Sequence, residues 1–323
     1  MTYQEQYRAR LKTIDEVLDG IPDGAVLCGG GELCEPKCFY ENLHRVLPKL
    51  HDIELIKGKR GSGYVYPFMD RPELKTHYHM VCHLYDGALR KCHEQGIASH
   101  LPSNLHDMMK RRTEYKPRID YFIAAATAMD EHGNFAISGS GMWEEEACRH
   151  AEHVILEVSP NLPRFRGALE IPVDKVDGII PVEYGPTLYD VRSIPTETDL
   201  TIGGIVADFV HDGDCIQLGL GGMPDAVGNA FFHKKDLGLH TELFTPVMGD
   251  LIEAGVITGA RKNVDTGKHV GNFILGDQRL YDIIQRCPDV WFRQASYTND
   301  PFVIASIDNM VSVNTAMEID LTG

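Results

Sequence analysis

The sequence predicts an α/β protein made of two tandem α/β domains of related topology, with largely parallel sheets. Three observations predict it. Near-continuous apolar runs such as IELIKGK at 53–59, YFIAAATAM at 121–129 and HVILEVS at 153–159 suit strands covered on both faces. Helical patterns at 76–95, 104–114 and 142–151 alternate with these runs, the order expected of a parallel sheet. One layout also occurs twice. DGAVLCGGG at 23–31 and DGDCIQLGLGG at 212–222 each read as Asp-Gly, an apolar strand, a glycine cluster and a helix with an early proline. Between the halves lies PVEYGPTLYDVRSIPTETD at 181–199, with three prolines and no sustained periodicity. The domains are therefore expected at 1–190 and 191–323, with the active cleft between them.

In chain order, Thr13 and Glu16 form a T-x-x-E capping box that opens a helix ending near Gly20 and Pro22. A strand at 25–28 runs into Gly29, Gly30 and Gly31, followed by a helical segment over 35–50. FAIS at 135–138 adds a strand. The helix after Met142 starts with Glu144, Glu145 and Glu146, acids that compensate the dipole of a first turn. In the second half Asp199 caps a helix whose Ile202, Ile205, Val206 and Phe209 share one face. The strand 215–218 then breaks at Gly219, Gly221 and Gly222, and a helix opens on Pro224, a residue suited to a first helical turn. A strand at 239–244 carries Glu242 near its C-terminal end, before Pro246 turns the chain into a helix at 247–255. A strand at 272–276, a helix at 278–287, a strand near 290–295 and a closing strand at 310–319 complete the pattern.

The second glycine turn is where chemistry is expected. Without Cβ atoms, Gly219, Gly221 and Gly222 let a ligand approach the main chain, and the following helix N-terminus favours negative charge. Glu242 falls at the carboxyl edge of the next strand, the edge at which ligands bind in open α/β sheets. On the residues alone, a ligand-free tight turn and a surface carboxylate account for the same features. Asn299, in YTNDP, reads by itself as a turn former.

Composition narrows the classes. A chain of 323 residues, 43% hydrophobic and 24% charged, has the make-up of a globular protein with a sizeable core. Its formal net charge of −16 argues against a general nucleic-acid binder. The eight cysteines form no CxxC pair, and His77, His79 and His83 fall inside the helical pattern 76–95 without a nearby acid or thiolate at ligand spacing, so no metal site is expected. No stretch approaches the ~20 apolar residues of a membrane span, and the N-terminus lacks a signal-like apolar core. A cytoplasmic setting without membrane partners is the expectation.

GLGGMPDAV at 219–227 and LGLHTELFTPVMGDLIEAGVITG at 237–259, with AMDEHGNFAISGS at 128–140, AEHVILEVSPNLPR at 151–164, SYTNDPFVIASIDN at 296–309 and SVNTAMEIDLTG at 312–323, resemble the class I CoA-transferases. The resemblance is to the acetyl-CoA hydrolase/transferase branch, which includes 4-hydroxybutyrate and butyrate–acetate CoA-transferases. It implies that Glu242 is the nucleophile, forming a glutamyl-CoA thioester. It also implies that Gly219, Gly221, Gly222, Met223, Pro224 and Asn299 form the oxyanion and CoA-binding surface. Coenzyme A is then a substrate, with no tightly bound cofactor; acyl-CoA and small carboxylates are the partners, and the chain is a homodimer. Basic residues for the CoA phosphates are sought among Lys57, Lys59, Arg60, the 110–112 run, Arg261, Lys262 and Lys268, each of which also reads as solvated surface charge. GSGYVYPF at 61–68 is a candidate lining for the acyl pocket. Family chains usually continue past DLTG, so the second domain is expected to be incomplete, with an open edge at 310–319, poor transfer by the chain alone and a lean toward hydrolysis. An acyl-CoA hydrolase of the same fold and a truncated, non-catalytic CoA-binding fragment are the alternatives.

Overall fold

The computed structural model describes residues 1–58, 64–192, 194–316 and 318–323. The chain divides into two compact units, one of Met1–Arg164 with Ala168–Thr187, the other of Phe165–Gly167 with Leu188–Gly323. Lys59, Arg60 and the glycines of the 61–68 segment lie outside the described residues.

The first unit contains strands β1 (Val26–Gly29), β2 (Ile53–Ile56), β3 (Tyr78–Cys82), β4 (Ala98–His100), β5 (Ile119–Thr127), β6 (Asn134–Ile137), β7 (Ala151–Ser159), β8 (Leu169–Pro172) and β9 (Gly178–Pro181). Seven of them form one sheet in the order β4-β3-β2-β1-β5-β7-β9, paired in parallel throughout. Successive side chains on a strand face opposite sides, and both sides are buried here. Leu27, Leu55, Met80, Ile123 and Ile155 enter one core, while Val26, Cys28, Ile56, Phe122, Ala124 and Leu156 enter another. FAIS is a strand, but it stands outside this sheet: β6 pairs only with β8, antiparallel.

Several expected boundaries move. The Thr13 box forms as read, with Thr13 Oγ1 accepting from the Glu16 amide at 3.2 Å and Glu16 returning the contact to the Thr13 amide at 2.7 Å. The helix ends at Asp19. The pattern at 76–95 is not one helix. Tyr78, Met80 and Cys82 are buried in alternation as β3, and only Gly87–Glu94 is helical, capped by Asp86. The segment 35–50 is a short helix, Lys37–Asn42, followed by two single 3-10 turns.

Glu144 has a more specific task than dipole compensation. It is fully buried, and its carboxylate accepts from the Gly31 amide at 2.9 Å, from Ser140 Oγ at 2.7 Å and from the Trp143 amide at 3.0 Å. The protein's own carboxylate thus occupies the anion-binding position of the first glycine turn. Glu144→Ala leaves the Gly31 amide buried without an acceptor and is expected to cost about 3 kcal/mol of stability, read as a fall in the denaturation midpoint.

A second buried acid, Glu157 on β7, accepts from the Cys38 and Phe39 amides at 3.0 and 2.6 Å and from the Tyr184 hydroxyl. Burial pushes its pKa up to about 7 from 4.5, against the lowering by those donors. Because the folded state holds this proton more tightly than the unfolded chain, the contribution to stability is full below about pH 4.5 and is lost as pH rises through about 7. Glu157→Gln is expected to flatten the melting temperature over that window.

The second unit contains β10 (Cys215–Leu218), β11 (Gly238–His240), β12 (Leu243–Phe244), β13 (His269–Gly271), β14 (Phe273–Ile274), β15 (Val290–Phe292) and β16 (Met310–Val313). Its main sheet runs β15-β13-β11-β10-β16, again wholly parallel. Counted in chain order within the main sheet, this is the order of the first unit's β4-β3-β2-β1-β5. The first strand is interior in both, with the second strand on one side and the fifth on the other.

Here too the reading needs correction. The helix Glu197–Asp208 is capped by Thr196, with Asp199 in the return position. It buries Gly203 and Ala207 rather than the apolar stripe, and Ile202, Ile205 and Phe209 are exposed. A Cβ on Gly203 would lie 2.9 Å from the Ala226 backbone, so close helix–helix approach, not side-chain hydrophobicity, chooses the packed face. The closing strand stops at Val313 rather than 319. It forms one edge of the five-stranded sheet, with Met310 and Val311 half-buried.

Candidate active site

The site is assembled on the carboxyl edge of the second unit's sheet, around β10. In an open α/β sheet the crevice forms where the connections diverge to either side of a central strand, which here is the end of β10, between β11 and β16. The Gly219 amide donates to the Val313 carbonyl at 2.9 Å, and a Cβ on Gly219 would meet Asn314 Oδ1 at 2.9 Å. Gly221 has φ 122° and ψ 179° and precedes the helix Gly222–Asn229. That helix opens two residues before Pro224, the expected start. Met223 is half-buried in its first turn and Pro224 is buried.

Space around Gly221 is open: nothing lies within 4 Å of a Cβ placed there. This distinguishes the turn from its counterpart in the first unit, where Gly31 is filled by Glu144, Met142 and Trp143. Gly221→Ala introduces no clash, but its backbone angles belong almost to glycine alone and cost about 1–3 kcal/mol for another residue. The substitution is expected to distort the turn and lower activity more than it lowers the melting temperature.

Glu242 lies where a strand was expected to continue and does not. The run 239–244 splits into β11 in the main sheet and β12 in a separate two-stranded ladder with β14. The neighbouring strand breaks in step at Asn272, between β13 and β14. At the break the Glu242 carbonyl accepts from both the Asn272 and Phe273 amides, each at 3.1 Å. Thr241 folds onto its own backbone, with Oγ1 donating to the Leu243 carbonyl at 3.1 Å. Such local disruptions re-aim a side chain out of the regular strand alternation. β10 and β11 run parallel, with Cys215 in register with Gly238 and Ile216 with Leu239, so the segments that follow them both leave the carboxyl edge of the sheet. The glycine turn and Glu242 thus share one edge.

Asn299 also comes to this point. It ends the short helix Ala295–Thr298, and its Nδ2 donates to Glu242 Oε2 at 2.8 Å. Its Oδ1 accepts from Asn272 Nδ2 at 3.1 Å and from Thr298 Oγ1 at 2.9 Å. Behind them His240, almost fully buried, places Nε2 2.9 Å from the Thr298 carbonyl. A carbonyl only accepts, so this nitrogen carries the proton. Burial holds the imidazole below its ordinary pKa. Asn272, Thr298 and His240 escaped the sequence reading; a polar Asn inside the apolar run HVGNFIL was the signal.

Among the described basic residues considered for the CoA phosphates, Lys57, Arg111, Arg112, Arg261, Lys262 and Lys268 have structural partners. Lys57 is buried against Glu35 at 2.6 Å. Arg112 is buried against Glu54, and Arg111 pairs with Asp107. Lys262 is buried, with Nζ donating to the Leu239 and Lys268 carbonyls at 3.1 and 2.7 Å, and burial lowers its pKa. Arg261 pairs with Asp236 and Lys268 with Asp289. Lys110 is exposed. His77, His79 and His83 do not converge: no group of three metal-ligating side chains occurs among the described residues. No described helix is long and apolar enough to cross a membrane.

Comparison with known proteins agrees with this architecture. The model of the acetyl-CoA hydrolase/transferase N-terminal domain matches residues 1–187, and that of the acetyl-CoA hydrolase/transferase C-terminal domain matches 276–323. The chain is 32% identical to a succinyl-CoA:cyclohexane-1-carboxylate CoA transferase of Geobacter metallireducens, over 100% of this chain and 72% of that protein. It is also 32% identical to a butyryl-CoA:acetate CoA-transferase of Anaerostipes caccae, over 100% and 73%. Among solved structures, RipA from Yersinia pestis superposes with a TM-score of 0.90 at 31% identity, covering 100% of this chain and 77% of that one. A 4-hydroxybutyrate CoA-transferase from Porphyromonas gingivalis superposes with a TM-score of 0.82 at 29% identity, covering 98% and 76%. The chain belongs to the acetyl-CoA hydrolase/transferase family.

Proposed function

We propose that this protein is a CoA-transferase that moves CoA between a short-chain acyl-CoA and a small carboxylate such as acetate, with Glu242 as the nucleophile. The observation that carries the proposal is the 2.8 Å bond from Asn299 Nδ2 to Glu242 Oε2 on the sheet edge that also carries the open glycine turn. A carboxylate is a weak nucleophile, so it needs a fixed position and stabilisation of the oxyanion it creates. In this reading a Glu242 oxygen attacks the thioester carbonyl, the oxyanion meets the amides of the 219–224 turn, and the C–S bond breaks to release CoA thiolate. The thiolate attacks the Glu242 carbonyl carbon of the mixed anhydride and expels the first acid as its carboxylate, leaving a glutamyl-CoA thioester.

The acceptor carboxylate then attacks that thioester, displacing CoA thiolate and forming a second anhydride. Attack of the thiolate on the acceptor's acyl carbon restores Glu242 and yields the new acyl-CoA. Asn299 Nδ2 stays beside the same oxygen throughout, first as partner of the carboxylate and then as donor to the carbonyl oxygen of each intermediate. Electron pairs balance without a redox or metal step, so coenzyme A enters as substrate and the chemistry requires no resident cofactor. A homodimer in the cytoplasm accompanies this reading on family grounds, and light scattering tests the dimer.

The test is a butyryl-CoA assay with acetate added. Appearance of acetyl-CoA in step with butyrate supports transfer; free thiol in step with butyrate, unaffected by acetate, assigns the same site to hydrolysis instead.

A further inference from the structure

We infer that Asn272 is a positioning residue for this reaction, fixing which end of the Asn299 side-chain amide faces Glu242. The inference rests on Glu242 being the nucleophile and goes beyond it. An asparagine amide has an acceptor end and a donor end of nearly the same shape, so geometry alone does not choose between them. At Asn299 only one orientation works for the carboxylate. Nδ2 donates to Glu242 Oε2, whereas Oδ1 in its place would set two acceptors against each other.

What selects the working orientation lies on the far side of the amide. Oδ1 sits between two donors, Asn272 Nδ2 at 3.1 Å and Thr298 Oγ1 at 2.9 Å. Asn272 Nδ2 also donates to Thr298 Oγ1 at 3.2 Å, and of the two acceptors in reach of the hydroxyl proton, Asn299 Oδ1 at 2.9 Å is nearer than the Gln294 carbonyl at 3.4 Å. Asn272 is fully buried, so water does not substitute for it. Its own position comes from the break between β13 and β14, where its main-chain amide donates to the Glu242 carbonyl. One residue therefore meets the nucleophile twice, through the main chain directly and through the side chain by way of Asn299.

The ionisable groups on the elements packed around Asn272 include Glu242, His240, His269, Arg293 and Tyr297. Tyr297 donates to Asp265, and Arg293 lies over the Tyr297 ring. None of them donates to Asn299 Oδ1 among the described contacts, which leaves Asn272 and Thr298 as its donors.

The test compares N272A and N272D with the wild-type protein in formation of the thioester on Glu242 from an acyl-CoA, measuring maximal rate and the acyl-CoA concentration at half-maximal rate. N272A is expected to lower the maximal rate about 10- to 100-fold while leaving half-saturation within about twofold. Asp has the shape of Asn, so a packing role predicts that N272D is the milder change. Orientation predicts the reverse at neutral pH, because an ionised carboxylate only accepts and draws Nδ2 of Asn299 away from Glu242. It also predicts that the N272D to N272A rate ratio rises as pH falls, since a protonated carboxyl can donate to Oδ1 again; a Glu242 pKa raised by the added charge moves the ratio the other way, so it does not mimic the rise. T298V, which removes the second donor, is expected to act in the same direction as N272A.

A folded N272D as active as N272A or more so at neutral pH, a pH-independent ratio, or a loss confined to half-saturation overturns the inference. Trapping of wild-type thioester at a residue other than Glu242 overturns the underlying reading as well, so the two failures are told apart.

Discussion

Glu242→Gln is expected to lower CoA transfer by at least about 10³-fold, because an amide oxygen lacks the nucleophilicity to form the anhydride on which every later step depends. The fold should survive. Glu242 is half-exposed, and the backbone bonds to its carbonyl, from the Asn272 and Phe273 amides, do not involve its side chain. Glu242→Asp keeps the charge and shortens the reach by one methylene, a misplacement of ~1 Å that costs ~100-fold. Initial rates of both variants with butyryl-CoA and acetate, beside their melting curves, check the claim: activity should collapse in the first and drop strongly in the second with both melting temperatures near wild type.

Asn299→Ala is expected to lower the maximal rate about 10²- to 10³-fold, the range for loss of one oxyanion donor, with little change in half-saturation by acyl-CoA. Asn299→Asp separates the donor's role from its volume. It replaces Nδ2 with a second carboxylate oxygen 2.8 Å from Glu242 Oε2, and like charges at that distance raise a carboxyl pKa. The acidic limb of the pH–rate profile should then move upward relative to wild type, a shift that Asn299→Ala does not produce. Steady-state rates across pH for the three proteins check both statements.

Much of this site was legible in the sequence because its parts are local. A glycine cluster after an apolar strand, a proline just inside a helix and an acid at a strand's carboxyl end are each encoded within a few residues, and parallel βα units bring such ends to one edge. The matching layouts at 23–31 and 212–222 likewise foreshadowed two sheets that share the order of five strands. What separates the two turns was not legible. Glu144 lies far along the chain from Gly31, and only the fold brings its carboxylate to that amide.

Tertiary pairing also explains the misread strands. The run 239–244 looks continuous because apolar residues recur along it, and the expected strand at 272–276 takes in β14 but misses β13 at His269–Gly271; the two segments break together at Glu242 and Asn272, and the break is a property of the pair. In the helix Glu197–Asp208 the packed face follows Gly203 and Ala207, whose small size matters only against a neighbouring helix. At 76–95 the alternation of Tyr78, Met80 and Cys82 is a strand signal that the helical spacing further along the run obscured.

The most direct test of the central claim is to incubate the protein with acyl-CoA, reduce with borohydride, digest and locate the modified residue by mass spectrometry. A glutamyl thioester is reduced to the alcohol and remains on the chain as a permanent mark. The account predicts that mark on Glu242, dependent on acyl-CoA and absent from Glu242→Gln. Turnover of acyl-CoA with Glu242 unmodified, or with the mark on another carboxylate, would contradict it.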